Sequence, residues 1–132
     1  MRLLLDTHVL LWALLEPERL STNAAKSLED RENEIWVSPI SLWECLILAE
    51  KGRVTLEPNP EKWVRGMMRK LLPHEAPITS EVAIRSRTVE VDHGDPADRF
   101  LAATAAVFDL TLLTADNLLL SGKGYPVLSA AD

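Results

Sequence analysis

Short apolar runs separated by helix-length segments recur along this chain, and that alternation limits the folds open to it more than any other feature. Arg2–Leu5 is an apolar run that ends abruptly at Asp6, the pattern of a strand buried on both faces. Residues 35–37 (Ile-Trp-Val), Thr111–Thr114 (Thr-Leu-Leu-Thr) and residues 126–128 (Pro-Val-Leu) have the same character. Ala76-Pro77-Ile78 is a weaker strand candidate, because its proline cannot donate to a ladder.

Helical stretches fill the gaps. Residues 7–15 stay apolar until Glu16-Pro17 halts them, and Ser21 or Thr22 can cap a helix to about residue 30 with Leu20, Ala24, Ala25 and Leu28 on its apolar side. Ser38-Pro39 opens a helix through Leu42, Leu46 and Ala49 that stops near Gly52. Asn59-Pro60 opens residues 61–72, Thr79-Ser80-Glu81 caps a helix expected to reach about residue 90, and Asp95-Pro96 starts an Ala-rich helix to Phe108. A short turn of helix begins at Asp116. Strands alternating with helices imply right-handed crossovers and a three-layer α/β/α sandwich around a mostly parallel sheet. At 132 residues, one domain over 1–132 accounts for the whole chain.

Composition narrows the setting. Hydrophobic residues make up 47% of the chain, enough for a substantial core at this length. No run of eighteen apolar residues occurs, no signal-peptide pattern precedes Asp6, and Cys45 is the only cysteine. A soluble, cytoplasmic protein without membrane association is therefore expected. The net charge of −6 argues against a uniformly basic nucleic-acid surface. Six bases between Lys51 and Lys70 (Lys51, Arg53, Lys62, Arg65, Arg69, Lys70) face only two acids there; they form either a phosphate-facing flank or a solvated helix face.

The acids carry the chemistry. In a parallel sheet, ligands gather beyond the carboxyl ends of the strands. Asp6 and Asp116 follow strands, Asp98 lies in the first turn of the Ala-rich helix, and Glu44 lies one turn into the helix after the second strand. Each also has an ordinary explanation. Asp6, Asp95 and Asp116 can cap helices, Asp98 can favour a helix dipole, and Glu44 can be an exposed acid. Against this, Glu44 stands in the apolar run 42–48 and Asp98 is followed by residues 100–103 (Phe-Leu-Ala-Ala), where an unpaired carboxylate is costly; Arg99 is a possible partner for Asp98. Converging carboxylates repel unless a cation joins them, and an all-oxygen set suits Mg²⁺ or Mn²⁺ better than zinc. His8, His74 and His93 show no zinc-motif spacing, and no phosphate-cradling glycine loop or nucleophile elbow is present. Of the four tryptophans, Trp63 beside Arg65 is the candidate for stacking on a base.

Four segments together resemble a known family. Residues 3–12 (LLLDTHVLLW), 41–44 (SLWE), 93–105 (HGDPADRFLAATA) and 112–116 (LLTAD) are similar, in order, to the four motifs of the PIN-domain family, in particular its VapC toxin branch. The resemblance implies a metal-dependent endoribonuclease that uses Mg²⁺ or Mn²⁺ and leaves 5′-phosphate and 3′-hydroxyl ends. It implies a metal-binding and catalytic set of Asp6, Glu44, Asp98 and Asp116, with Asp95, Thr7 and Thr114 in support. It also implies an RNA substrate, a cognate antitoxin and a homodimer. Where relatives often have a lysine four residues after the motif glutamate, this chain has Leu48; Lys51 is the available substitute. The rival readings are a PIN nuclease of RNA maturation or DNA cleavage, a non-catalytic binding module, and a phosphotransfer domain. The last is disfavoured because no second aspartate stands two positions after Asp6.

Overall fold

The computed structural model describes all residues from Met1 to Asp132. Five strands, β1 (Arg2–Leu5), β2 (Glu34–Val37), β3 (His74–Glu75), β4 (Thr111–Thr114) and β5 (Val127–Ser129), form one sheet in the order β3-β2-β1-β4-β5. Every pairing is parallel. β1 is central, with Leu4 opposite Trp36 on one side and Leu112 on the other.

Period-two alternation divides the strand side chains between two cores. Leu3, Leu5 and Leu113 pack with Val9 and Leu10 of α1 (Thr7–Leu15), Cys45 of α3 (Pro39–Glu50), and Val64 and Met67 of α4 (Pro60–Leu71). Ala24 of α2 (Thr22–Glu29) joins that layer. Leu4 and Leu112 face the other way, onto Leu101, Ala102 and Ala105 of α6 (Pro96–Phe108) and Leu119 of α7 (Asn117–Ser121). The alanines of α6 let its backbone lie close to the sheet. The result is the expected α/β/α sandwich, with the sheet parallel throughout. No helix is long and apolar enough to cross a membrane.

Two expectations need correction. The third strand is His74–Glu75, not Ala76-Pro77-Ile78. Ala76 gives the last bond to β2, N–H to the Val37 carbonyl at 3.0 Å, and Pro77 has no N–H to carry the ladder on. The following helix, α5 (Ser80–Arg85), ends well short of residue 90. The chain turns there, with the N–H groups of Thr88 and Val89 both on the Arg85 carbonyl, and Arg99 takes the Ser86 carbonyl that the next helical turn would use, along with those of Val89 and Val91 beyond it. A 3₁₀ turn at Pro17–Arg19 follows α1 where the proline stops it.

The turn after α7 is tightly fitted. Tyr125 is buried and donates its hydroxyl to the Leu119 carbonyl at 2.6 Å, while a Cβ on Gly122 would fall 2.0 Å from that hydroxyl. Gly122→Ala should therefore cost about 1–3 kcal/mol of stability by displacing Tyr125; an unchanged urea midpoint would contradict this packing.

Candidate metal centre

Four loops at the carboxyl edge of the sheet bring the acids together. Asp6 follows β1 directly and its N–H still bonds the Leu113 carbonyl at 3.0 Å, so the sheet itself fixes its backbone. It is 5% exposed, and its side chain caps nothing in α1. Instead Oδ2 accepts the Thr114 hydroxyl at 2.7 Å, reaching from the end of β4. Burial raises the Asp6 pKa, against the lowering effect of Thr114.

Glu44 projects from α3 toward the same place. The Thr7 hydroxyl donates to Glu44 Oε1. Thr7 Oγ1 also lies 3.0 Å from Ser41 Oγ; its single proton is committed to Glu44, so it accepts there. Burial raises the Glu44 pKa, and the charges of Asp95 and Asp6 add to the shift. Asp98, in the first turn of α6, has its carboxyl pushed up to about 7, first by burial and then by the charges of Asp6 and Asp95. A histidine contact at 2.8 Å does not outweigh these.

Asp116 and Asp95 do cap helices. Asp116 Oδ1 accepts from the N–H groups of Leu118 and Leu119 at 2.8 and 3.2 Å, and Asp95 Oδ1 from Ala97 N–H at 2.9 Å. Capping and membership of the cluster are compatible, because the second oxygen of Asp116 turns inward to His93. Burial works to raise the Asp116 pKa, yet the hydrogen bonds from His93, Leu119 and Leu118 bring it below its ordinary value.

His93 is the residue that sequence reasoning missed. Its Nε2 lies 2.8 Å from Asp98 Oδ2 and 3.2 Å from Asp116 Oδ2. One ligand-type atom from each of the three lies within 4.8 Å of the others. Burial alone would lower the His93 pKa; the Asp116 hydrogen bond and the charges of Asp98, Asp116 and Asp95 raise it instead. Arg99, the expected partner of Asp98, bonds backbone carbonyls. His8 is exposed but close enough for its charge to act on both Asp6 and Glu44. Trp63 packs against the core, whereas Trp43, beside Glu44, is 54% exposed.

A groove of about 470 Å³ leads away from Glu44 and Asp95. Leu11, Trp12, Ile47 and Val54 give it an apolar floor, and Arg19, Lys51 and Arg53 also line it. Arg19 stacks 4.5 Å above the Trp12 ring. Of the basic stretch, only Lys51 and Arg53 border this groove; Arg65 and Arg69 edge a separate hollow with Leu42 and Leu46.

Residues 3–121 match the PIN domain family. The chain belongs to that family. It is 35% identical over 121 residues, 91% of each chain, to Ribonuclease VapC22 of Mycobacterium tuberculosis (strain ATCC 25618 / H37Rv). In fold it resembles chains in crystal structures of DNA-bound VapBC from Salmonella typhimurium and of VapBC2 from Rickettsia felis bound to a promoter DNA fragment. The TM-scores are 0.70 and 0.69, each at 15% identity; the first covers 98% of both chains, the second 98% of this chain and 99% of the other. A chain of FitAcB from Neisseria gonorrhoeae gives 0.60 at 21% identity, over 96% of both chains.

The donor set fits a hard divalent cation. Its acids supply only oxygen, and burial first, then one another's charge, makes three of them hold protons above their ordinary range. The sign for stability follows. A folded-state pKa near 7 against an ordinary 3.8 means that the native protein keeps a proton the unfolded chain has lost. The metal-free protein should thus lose stability as pH rises from about 4 through about 7, by on the order of a few kcal/mol. The raised Asp6, Glu44 and His93 act in the same direction. Thermal melts in chelator should show that fall, and Mn²⁺ should reverse it; melting temperatures that rise over this range in chelator would refute the burial argument.

Proposed function

We propose that this PIN-domain protein is a Mg²⁺- or Mn²⁺-dependent endoribonuclease, the toxin of a VapBC-type pair acting in the cytoplasm, with its centre on Asp6, Glu44, Asp98 and Asp116. The observation that carries the reading is the shared burial and mutual charge of Asp6, Glu44 and Asp98 at the carboxyl edge of the sheet. The likeness to Ribonuclease VapC22 supports RNA as the substrate.

Asp6, Glu44 and Asp98 would hold the ion, with Asp116 completing the centre directly or through water. The bound ion would supply a water of lowered pKa and stabilise charge on the phosphate during in-line attack. The protein's own groups do the rest. Thr114 and Thr7 orient Asp6 and Glu44 by donating to them. Asp95 aligns the first turn of α6 and so sets the direction of Asp98. The groove bases Lys51 and Arg53 accept the phosphates flanking the cut, Lys51 taking the role of the lysine that Leu48 replaces. Products carry 5′-phosphate and 3′-hydroxyl ends.

A free nuclease of this kind would damage its own cell, and the structural neighbours include VapBC complexes; a cognate antitoxin that covers the centre is the corresponding partner. A second copy of the chain would cover the apolar hollow of Pro39, Ile40, Trp43, Ile78 and Phe100, giving a homodimer.

Cleavage of total RNA should require Mg²⁺ or Mn²⁺ and stop in chelator. Asp6→Asn and Asp98→Asn should each lower it by more than the roughly 10–100-fold that loss of an outer partner costs, with circular dichroism unchanged. Full activity in either variant would reject the assignment. Thr114→Val removes the only side-chain donor to Asp6 and should weaken Mn²⁺ binding by about 10–100-fold, as isothermal titration would measure; unaltered affinity would show that Asp6 needs no such orientation.

A further inference from the structure

Where α1 ends, the chain turns back on itself. Pro17 halts the helix, the 3₁₀ turn Pro17–Arg19 follows, and the Ser21 N–H bonds the Ala130 carbonyl at 2.9 Å, just beyond β5. That path returns Arg19 over the helix it has just left, with Cζ 4.5 Å from the centre of the Trp12 ring. Glu16 holds the guanidinium from the side, its Oε2 accepting from Nη1 at 3.1 Å. The indole covers one face of the guanidinium, yet the Arg19 side chain is still 55% exposed. A flat cation is thus fixed in place with a face left open.

The stack stands on the wall of the groove that starts at the acids. α1 and α3 both begin at the carboxyl edge of the sheet and run away from it. α1 gives the groove one helical face, His8, Leu11, Trp12 and Leu15, and α3 gives it Glu44, Ile47 and Lys51. Lys51 lies seven residues past Glu44, about 10 Å along the helix, and Arg53 follows in the turn after it. Arg19, Lys51 and Arg53 therefore line the groove away from the acids, where Glu16 is already paired with Arg19.

An apolar floor alone would suit a peptide, and cations alone would suit any polyanion. A channel that joins both to a stacked arginine has the parts of a single-strand site, in which cations follow the phosphates and bases lie flat on rings or guanidinium planes. Charge decides between the occupants. The chain carries −6 overall, so three cations along one stretch of one groove are a local excess that complements a polyanion. Trp43, the other tryptophan on the groove, borders the hollow given above to a second copy, and Trp12 does not.

We propose that the open face of Arg19, backed by Trp12, takes an unpaired nucleobase of the RNA beside the cut, while Lys51 and Arg53 hold the neighbouring phosphates. This rests on the ribonuclease reading above and adds to it a pair of residues that grips a base. Both touch substrate away from the reacting atoms, so they govern strand binding and not the chemical step.

Fluorescence anisotropy tests this on the full-length protein in chelator, with labelled single strands of about eight nucleotides, within the span that such grooves cover. Two strands of equal length and charge are compared, oligouridylate and the same ribose-phosphate chain without bases. Wild type should bind the strand with bases at least about fivefold more tightly, the least that one stacked base contributes. Arg19→Lys keeps the charge and loses the plane; it should bring the two strands close to parity while leaving the salt dependence of binding unchanged. Trp12→Leu should do the same, and the double variant should lose no more than either alone, because the two side chains act as one stack. Equal binding of both strands by wild type would overturn the proposal and leave the groove to another occupant, such as a partner's peptide. A base preference that survives Arg19→Lys or a folded Trp12→Leu would overturn it too, as would losses that add in the double variant. If Trp12→Leu does not fold, the wild-type preference and Arg19→Lys decide. Cleavage of total RNA with Mn²⁺, run in parallel, separates the two readings: a wild type that cuts RNA, and is silenced by Asp98→Asn, without any base preference sinks only this inference, whereas a chain that neither binds nor cuts RNA loses both.

Discussion

Asp6 is a carboxylate placed where the sheet can no longer bury apolar side chains and solvent barely reaches. Its backbone is still part of the hydrogen-bonded ladder through the Leu113 carbonyl, so it cannot move without disturbing the central strand. A single buried acid in that position is tolerable when it accepts a hydroxyl proton, as Asp6 does from Thr114. Bringing Glu44 and Asp98 toward it sets like charges against one another in a partly dry space. The rest of the edge answers that repulsion: two threonine hydroxyls, a histidine, and protons retained above the ordinary carboxylate range.

The folding machinery around this point is rigid for ordinary reasons. Parallel strands with leucines on both faces need a helical layer on each side, and α6 meets the sheet with alanines that allow close approach. Both edge strands are short, two residues for β3 and three for β5, which leaves little ladder for another chain to extend. Stability is therefore concentrated beneath the acids, and the edge above can hold an arrangement that is unfavourable by itself.

Much of this was legible in the residues. Apolar runs ending in Asp6 and followed by Asp116 announced strand ends, and Asp95-Pro96 announced a helix start that puts Asp98 in its first turn. Four things were not. His93 joins Asp116 across 23 residues with no metal-type spacing, so only the folded chain shows the contact. Arg99 looked like a partner for Asp98 because it is adjacent, but neighbours on a helix point in different directions. Trp63 looked like a stacking platform, yet its spacing of four from Met67 was a sign that the two share the buried side of α4. A helix reaching residue 90 fitted the local pattern, but the chain turns at Arg85 and a guanidinium from α6 takes the Ser86 carbonyl that its next turn would need.

That guanidinium has a consequence for tolerance to change. Arg99 grips the stretch before α6 through carbonyl oxygens alone, and every amino acid brings an identical carbonyl. Positions 87, 88, 90 and 92, all exposed, can therefore drift in chemistry without shifting the imidazole, provided the backbone path is kept. One side chain reads the shape of the loop and is indifferent to its spelling.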